Sequence, residues 1–376
     1  MAHSSDRLGL AWHLRSEAAL VLALLVAGFF ASSDVSGAEG LSLLFLSGLL
    51  FGTIGMAAFG VVRHADALAV QLGEPYGSLI LTLSVIFIEV AMISAVMLTG
   101  SDNPTLARET MYAVVMIVLN GVVGLTLLLG GLRHHEQEYN LQGANSFLAL
   151  ILPLAVLALI LPNYTQSTEG PTFSVPQEVF LAATSLGLYA VFLAVQTIRH
   201  RAYFVAPGAS VDPAEPDLED EHPGLELRSP RVHALLLAAY LIPIVFLAEQ
   251  IAYPIDYAIS KAGAPAALGG FAVAVLVLSP EVLGAVRAAL ANRLQRSINI
   301  LLGSVAATIA LTVPAVLAIS IWMQVPVELG LGPVDSLLLL LTLAVSIVTF
   351  GSGRTNVLQG AVHLVLFFAY AMLIFD

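Results

Sequence analysis

The sequence predicts an all-α polytopic membrane protein of about eleven transmembrane helices, and three observations carry that expectation. The 376 residues are 58% hydrophobic and only 11% charged, with a mean hydropathy of +0.91. A soluble domain of that composition would have to expose a mostly apolar surface. Apolar runs approaching the ~20 residues a spanning helix needs recur along the chain, bounded by Pro, Gly and charged clusters. Basic residues fall almost wholly on one side once eleven spans are drawn.

In chain order the spans are expected near 17–32, 42–62, 76–99, 110–132, 145–162, 177–198, 232–254, 266–288, 297–322, 335–350 and 356–375. The first lacks an A-x-A-like cleavage site and reads as a retained helix, not a signal peptide. With the N-terminus cytoplasmic, all fourteen Lys and Arg residues except Arg108 and Lys261 fall on the cytoplasmic side, as the positive-inside rule requires. The C-terminus then lies outside. The substantial polar stretch, 200–231, is rich in Pro and acid and carries much of the net charge of −12. It reads as a disordered cytoplasmic linker, with a weak cation or pH sensor involving His222 as the alternative. Four segments result: 1–33, a cytoplasmic start and an extra helix; 41–199, a first five-helix repeat; the loop 200–231; and 232–376, a second five-helix repeat. Five is odd, so the two repeats are inverted in the membrane, an arrangement that places sites at the repeat interface.

The chemistry concentrates on two glutamates. Glu89 lies twelve residues after Gly77 in GSLILTLSVIFIEVAMISAVM, and Glu281 lies twelve after Gly269 in GGFAVAVLVLSPEVLGAV. A charge at the centre of a spanning helix costs about 2.5–3.5 kcal/mol on insertion scales and usually lines an ion or proton path. Two acids at matched positions in two halves read as paired half-sites for a cation or proton. At 100° per residue, Thr82 and Ser78 share the face of Glu89, while Gly270, Ala274, Ala285 and Ala288 form a small-residue stripe with Glu281. Pro280 removes a helical hydrogen bond and frees the carbonyl of Leu276, an oxygen ligand of the kind a hard cation wants; the plain alternative is a kink in a packed helix. Asn120 and Ser304, the latter on one face with Ser297 and Thr308, are candidate secondary oxygen donors, unless they only bond backbone or a neighbouring helix. Glu249 and Asp66 are candidate relay acids, Asp66 alternatively an interfacial partner of Arg63.

Other motifs carry less. RHHEQEYN, 133–140, lacks the second His of HExxH and reads as a solvated loop end. No GxxxxGK occurs, so ATP-driven pumping by this chain is not expected. The chain has no cysteine, which excludes thiolate metal sites. Ser352 in GSG has no partner motif for hydrolysis, so the chain is not expected to be an enzyme. A cation channel would use similar acids without needing matched half-sites.

Four stretches carry a family likeness: LGEPYGSLILTLSVIFIEV (72–90), PTLARETMYAVVMIVLNGVVGLTLLLGGLRHHEQEYN (104–140), LSPEVLGAVRAALANRLQRSINILLGSVAATIALTVP (278–314) and GRTNVLQG (353–360). On these the chain resembles the cation/calcium exchanger superfamily, specifically the ChaA-type antiporters of its CAX branch, over nearly its whole length. The resemblance implies two α-repeats centred on Glu89 and Glu281. It also implies a secondary antiporter of a bacterial inner membrane that exports Ca²⁺, with Na⁺ and K⁺ as further ions, against entering protons by alternating access. A Na⁺/K⁺-proton antiporter with little calcium role is the alternative. The CAX pattern reads GNATE and GNAAE where this chain has VIFIE (85–89) and VLSPE (277–281), so the glutamates remain and the asparagine amides do not. The partners expected are the bilayer, cations and protons. No cofactor and no nucleic acid are expected, and self-association into a homo-oligomer is left open.

Overall fold

The computed structural model describes every residue except 1–16, 34, 36, 73–75, 100–103, 209–226, 325–326 and 376. Most of the expected acidic linker lies outside the described residues. Each of the eleven apolar runs is one continuous helix: α1 (Ala18–Ser32), α2 (Gly40–Leu72), α3 (Tyr76–Thr99), α4 (Leu106–His134), α5 (Leu141–Leu159), α6 (Val175–Arg199), α7 (Pro230–Ser260), α8 (Ala266–Leu290), α9 (Leu294–Met323), α10 (Pro333–Thr349) and α11 (Val357–Leu373). Among the described residues seven, α2 and α4–α9, are long and apolar enough to cross a membrane; α1, α10 and α11 are shorter apolar helices. Helix ends follow their capping residues. Asn140 caps α5 by accepting from the Gln142 amide, Ser174 and Gln177 box the start of α6, and Asn356 and Gln359 box the start of α11, each satisfying amides that the first turn leaves open. The second helix runs ten residues past its expected end, because His64, Ala65, Ala67 and Leu68 remain buried beyond the apolar run.

The helices form two compact units. The first, Met1–Ser101 with Leu218–Ala262, holds α1, α2, α3 and α7. Its most extensive packing is α7 along α2, with α1 and α3 against both. Gly60 on α2 is what lets the Tyr240 ring of α7 lie against the backbone, since a Cβ there would overlap the ring.

The second unit, Asp102–Asp217 with Gly263–Asp376, holds α4, α5, α6 and α8–α11. Its core is made by α4 and α9, whose apolar segments are 78% and 72% buried against 28% for α6. Both core helices widen into a π turn, at Ile117–Val122 in α4 and Thr308–Thr312 in α9, a distortion frequently found at functional sites. Glycines bring the helices into backbone contact. A Cβ on Gly270 of α8 would stand 2.6 Å from the backbone of Glu109 and Thr110 on α4, so the small-residue stripe of α8 is a packing face, as expected for helices that associate without a hydrophobic driving force. Further along α4, a Cβ on Gly360 of α11 would overlap the Leu128 amide nitrogen.

The stretch 133–140 is only in part the solvated loop end expected from its composition: Arg133, His135, Glu136 and Glu138 are exposed. Gln137 and Glu138 form β1, which pairs antiparallel with β2 (Arg354–Thr355), Gln137 opposite Thr355. Gln137 and Tyr139 are each 2% exposed. The Gln137 amide donates to the Ala289 carbonyl at 2.9 Å and to Asn292 Oδ1 at 3.0 Å, and the Asn140 amide donates to Gln295 Oε1 at 2.6 Å. The buried polar residues serve helix ends: Gln137 bonds the end of α8, and the Tyr139 hydroxyl donates to the Thr349 carbonyl at the end of α10.

Gly270→Val and Gly360→Val should each destabilise the protein by about 1–3 kcal/mol through overpacking. Gly28→Val on α1, where a Cβ has nothing within 4 Å, should not. Thermal unfolding in detergent checks the contrast, and equal midpoints for all three variants would refute the packing role of the glycines.

Candidate cation site

The helix carrying Glu89 belongs to the first unit and packs on α2 and α7. Glu89 is 1% exposed, the burial expected of a functional intramembrane acid and rare for any other. The hydroxyls of Ser84 and Ser94 donate to carbonyls of their own helix, Ile80 and Val90, both at 2.6 Å, and so serve the backbone. Thr82 is half-buried, and the unbroken helix keeps it two turns before Glu89 on the same face. The Ser78 side chain lies outside those described.

The helix carrying Glu281 belongs to the second unit and packs on α4 and α9. Glu281 is half-buried, directly after the buried Pro280. Proline does remove a donor from the Leu276 carbonyl, but the carbonyl is not left bare: Ser279 Oγ donates to it at 2.8 Å. The VLSPE motif thus repairs within itself much of what its proline breaks. One lone pair on that oxygen remains beyond the serine bond.

Asn120 sits in the π turn of α4 and is fully buried. Its amide nitrogen donates to Thr342 Oγ1 of α10 at 2.8 Å, and its Oδ1 accepts from His363 Nδ1 of α11 at 3.2 Å. The other ring nitrogen, His363 Nε2, lies 2.9 Å from Thr349 Oγ1. Asn120 is therefore engaged at both ends of its amide, tying α4, α10 and α11. Among the candidate donors on α9, Ser304 is 9% exposed, with Ser297 at 0% and Thr308 at 2%, a buried hydroxyl stripe just before and within the second π turn. Asp66 is half-buried on α2, and Arg63 pairs with Glu17 at 2.6 Å. Glu249, expected deep inside its span, lies on an exposed side of α7; span depth located it along the helix but not around it. No group of three or more His, Cys, Asp or Glu poised to hold a metal occurs among the described residues.

Sequence reasoning missed His363, Thr342 and Thr349. The signal was present, since a histidine within an apolar helix is as unusual as an acid, but its partners lie up to 243 residues away.

The description "Sodium/calcium exchanger protein" fits residues 41–198 and 232–375. The chain belongs to that family. It is therefore a multi-span membrane cation antiporter. It is 45% identical over 332 residues to a putative ionic transporter, y4hA, of Sinorhizobium fredii, covering 88% of each chain. It is 42% identical over 357 residues to the sodium-potassium/proton antiporter ChaA of Escherichia coli, covering 94% of each. The fold is that of solved Ca²⁺/H⁺ exchangers: native YfkE, TM-score 0.72 at 18% identity over 95% of this chain and 97% of that one, and the H⁺/Ca²⁺ exchanger CAX, TM-score 0.68 at 17% identity over 96% and 88%. These identities make the likeness one of fold. Within the second unit the core pair is α4 and α9, and the π turn of α4 is tied to α10 and α11 through Asn120.

Asn120→Leu should leave the Thr342 hydroxyl and His363 Nδ1 buried without their present partner, costing about 1–3 kcal/mol for each group so stranded. The thermal midpoint in detergent should fall accordingly, and Asn120→Asp, which keeps an acceptor for His363, should fall less. Equal effects of the two substitutions would count against the network.

Proposed function

We propose that this chain is a proton-driven antiporter that exports Ca²⁺, together with Na⁺ and K⁺, from the cytoplasm, and that Glu89 and Glu281 are the carboxylates for which cation and protons compete. The observation that carries the reading is the doubling: one acid twelve residues after a glycine in each half, within the two segments, 41–198 and 232–375, that fit the family description. The doubling also supports two inverted five-helix repeats with alternating access between them. The basic-residue bias supports a cytoplasmic N-terminus, an outside C-terminus and a bacterial cytoplasmic membrane as the location.

Coupling follows from charge. An ionised glutamate in a spanning helix is expensive, and each can be neutralised either by a bound cation or by a proton. Loaded with cation or with protons, the acids are close to neutral and the rearrangement proceeds; empty and ionised, they hold it back. A group that cannot stay bare in a low-dielectric site takes up a proton when its counter-charge leaves. Exchange then needs no contact between proton and metal. Thr82 and Ser304 are offered as secondary oxygen donors, Asp66 and Glu249 as relay acids. Asn120 and the Leu276 carbonyl contribute from positions already hydrogen-bonded to Thr342, His363 and Ser279.

A broad ion range has its own support. Calcium takes six to eight oxygens, and VIFIE and VLSPE offer no side-chain amide. The relative at 42% identity is named for sodium and potassium, whereas Ca²⁺/H⁺ antiporters appear at 20% and 25% identity.

In everted vesicles, Glu89→Gln and Glu281→Gln should each reduce cation-driven proton flux to the background of empty vesicles while the protein remains folded in the membrane. Normal flux in either variant would sink the assignment. Flux should appear with Ca²⁺, Na⁺ and K⁺ added separately. Because protons compete for the same carboxylates, apparent cation affinity should rise with pH on the cation side, by about tenfold per unit for each competing proton at the acid end. A pH-independent affinity would place the proton elsewhere.

A further inference from the structure

A second ionisable cluster lies in the first unit, apart from Glu89. His64 of α2 and His233 of α7 are each 2% exposed and face each other with Nδ1 to Nδ1 at 2.9 Å. The far nitrogen of His233, Nε2, accepts the backbone N–H of Arg228 at 2.9 Å. The far nitrogen of His64, Nε2, lies 3.2 Å from Glu17 Oε2, the residue that precedes α1. The same carboxylate oxygen accepts from Arg63 at 2.6 Å and from the Tyr240 hydroxyl at 3.0 Å, and Oε1 accepts from Arg228 at 3.1 Å.

These contacts fix the protons. A backbone N–H can only donate, so His233 Nε2 is bare and its proton sits on Nδ1. That proton is donated to His64 Nδ1, which leaves the His64 proton on Nε2, pointing at Glu17. Two neutral imidazoles satisfy these three links, and Arg63 Nη2, 3.3 Å from His64 Nε2, is held by its shorter bond to Glu17 Oε2 at 2.6 Å. A third proton cannot be accommodated: placed on His64 Nδ1, it makes two N–H groups face each other across 2.9 Å; placed on His233 Nε2, it faces the Arg228 N–H. Either way one link must open. Among the described residues, the charged and titratable groups facing the pair are Glu17, which favours a proton, Arg63 and Arg228, which together with burial oppose it, and Tyr240, whose hydroxyl already donates to Glu17. α1 carries no titratable residue, and α3 carries only Tyr76 and Glu89.

We propose that the His64–His233 pair is a proton-binding site separate from the transport glutamates, and that taking up one proton unlatches the segment Arg228–His233 from α2 and Glu17. The latch joins three parts of the chain: the residue before α1, the end of α2, and the end of the acidic loop where it enters α7. Its placement on the cytoplasmic side rests on the orientation proposed above; the latch itself does not depend on that reading. An unsatisfied buried donor costs about 1–3 kcal/mol, enough to shift an open-to-closed ratio by one to two powers of ten.

The chain has no cysteine, so a nitroxide on Ser229→Cys, at the exposed cap of α7, is a single reporter in full-length protein in nanodiscs. Between pH 8 and pH 5 its spectrum should pass from mostly immobilised to at least half mobile in one step. In His64→Gln and in His64→Gln/His233→Gln, whose amides hydrogen-bond but do not titrate, the step should vanish, and flux at pH 8 should stay within twofold of the parent. A pH-invariant spectrum with both histidines present, or a step that persists in the double variant, overturns the proposal. His233→Asn provides a third background should the double variant fail to insert. The spectrum does not read transport, so a failure of the antiport reading would leave this result standing, and the reverse.

Discussion

What constrains this protein throughout is that a polar group in a spanning helix has no water to fall back on. The backbone meets the constraint by staying helical over nearly every apolar run. Some side chains meet it by bonding their own helix and others by finding a partner on another, while buried hydroxyls such as Ser297 and Thr312 do neither. Ser84 and Ser94 take the first course, and the packing of α3 owes nothing to them. Asn120, Thr342, His363 and Thr349 take the second and join α4, α10 and α11 in doing so. Among the polar groups of the spanning helices, Glu89 and Glu281 stand out because carboxylates answer to a charge as well as to a hydrogen bond.

The two core helices show how the fold accommodates this. Each follows a glutamate-bearing helix, and each is widened by a π turn. A π turn skips one register of backbone hydrogen bonding and redirects the side chains beyond it. In α4 it carries Asn120 to the α10 and α11 side, and in α9 it lies beside the hydroxyl stripe Ser297, Ser304 and Thr308. Glycines make the same helices approachable. Backbone contact at Gly270 holds the Glu281 helix against α4 along its N-terminal half, so the register of Glu281 is set by a residue eleven positions away. Position at the acid is thus a packing outcome as much as a local one.

The number and order of the helices were legible because hydropathy and basic-residue bias are additive signals, each averaged over many residues. Glu89 and Glu281 were legible because a carboxylate in such a run is anomalous by itself. Facing direction was not. In a helix apolar on all sides, periodicity says little about which side meets protein, and Glu249 could be placed well inside its span, but not on the exposed side of the helix where it lies. Within 133–140 the polar sequence is solvated at Arg133, His135, Glu136 and Glu138, but it did not reveal that Gln137 and Tyr139 close a junction between helix ends. Pairings such as His64 with His233, 169 residues apart, are set by which helices pack together. No single stretch records that.

The VLSPE motif shows why local chemistry has to be read with its neighbours. Considered alone, Pro280 exposes a carbonyl next to a carboxylate, an oxygen pair suited to a hard cation. Ser279, one residue earlier, returns a donor to that carbonyl at 2.8 Å. The oxygen that was bare on sequence grounds becomes a partly satisfied one, a weaker ligand whose remaining lone pair competes with a hydroxyl that can rotate away. A site assembled from carboxylates and such half-committed oxygens supplies charge without a rigid cage. Rigid cages are what separate calcium from smaller or less charged ions, through ligand number and fixed distance. For the proposed site, loose selection by charge is the physical counterpart of the missing asparagine amides, and it would follow from the serine and proline as much as from the loss of the asparagines themselves.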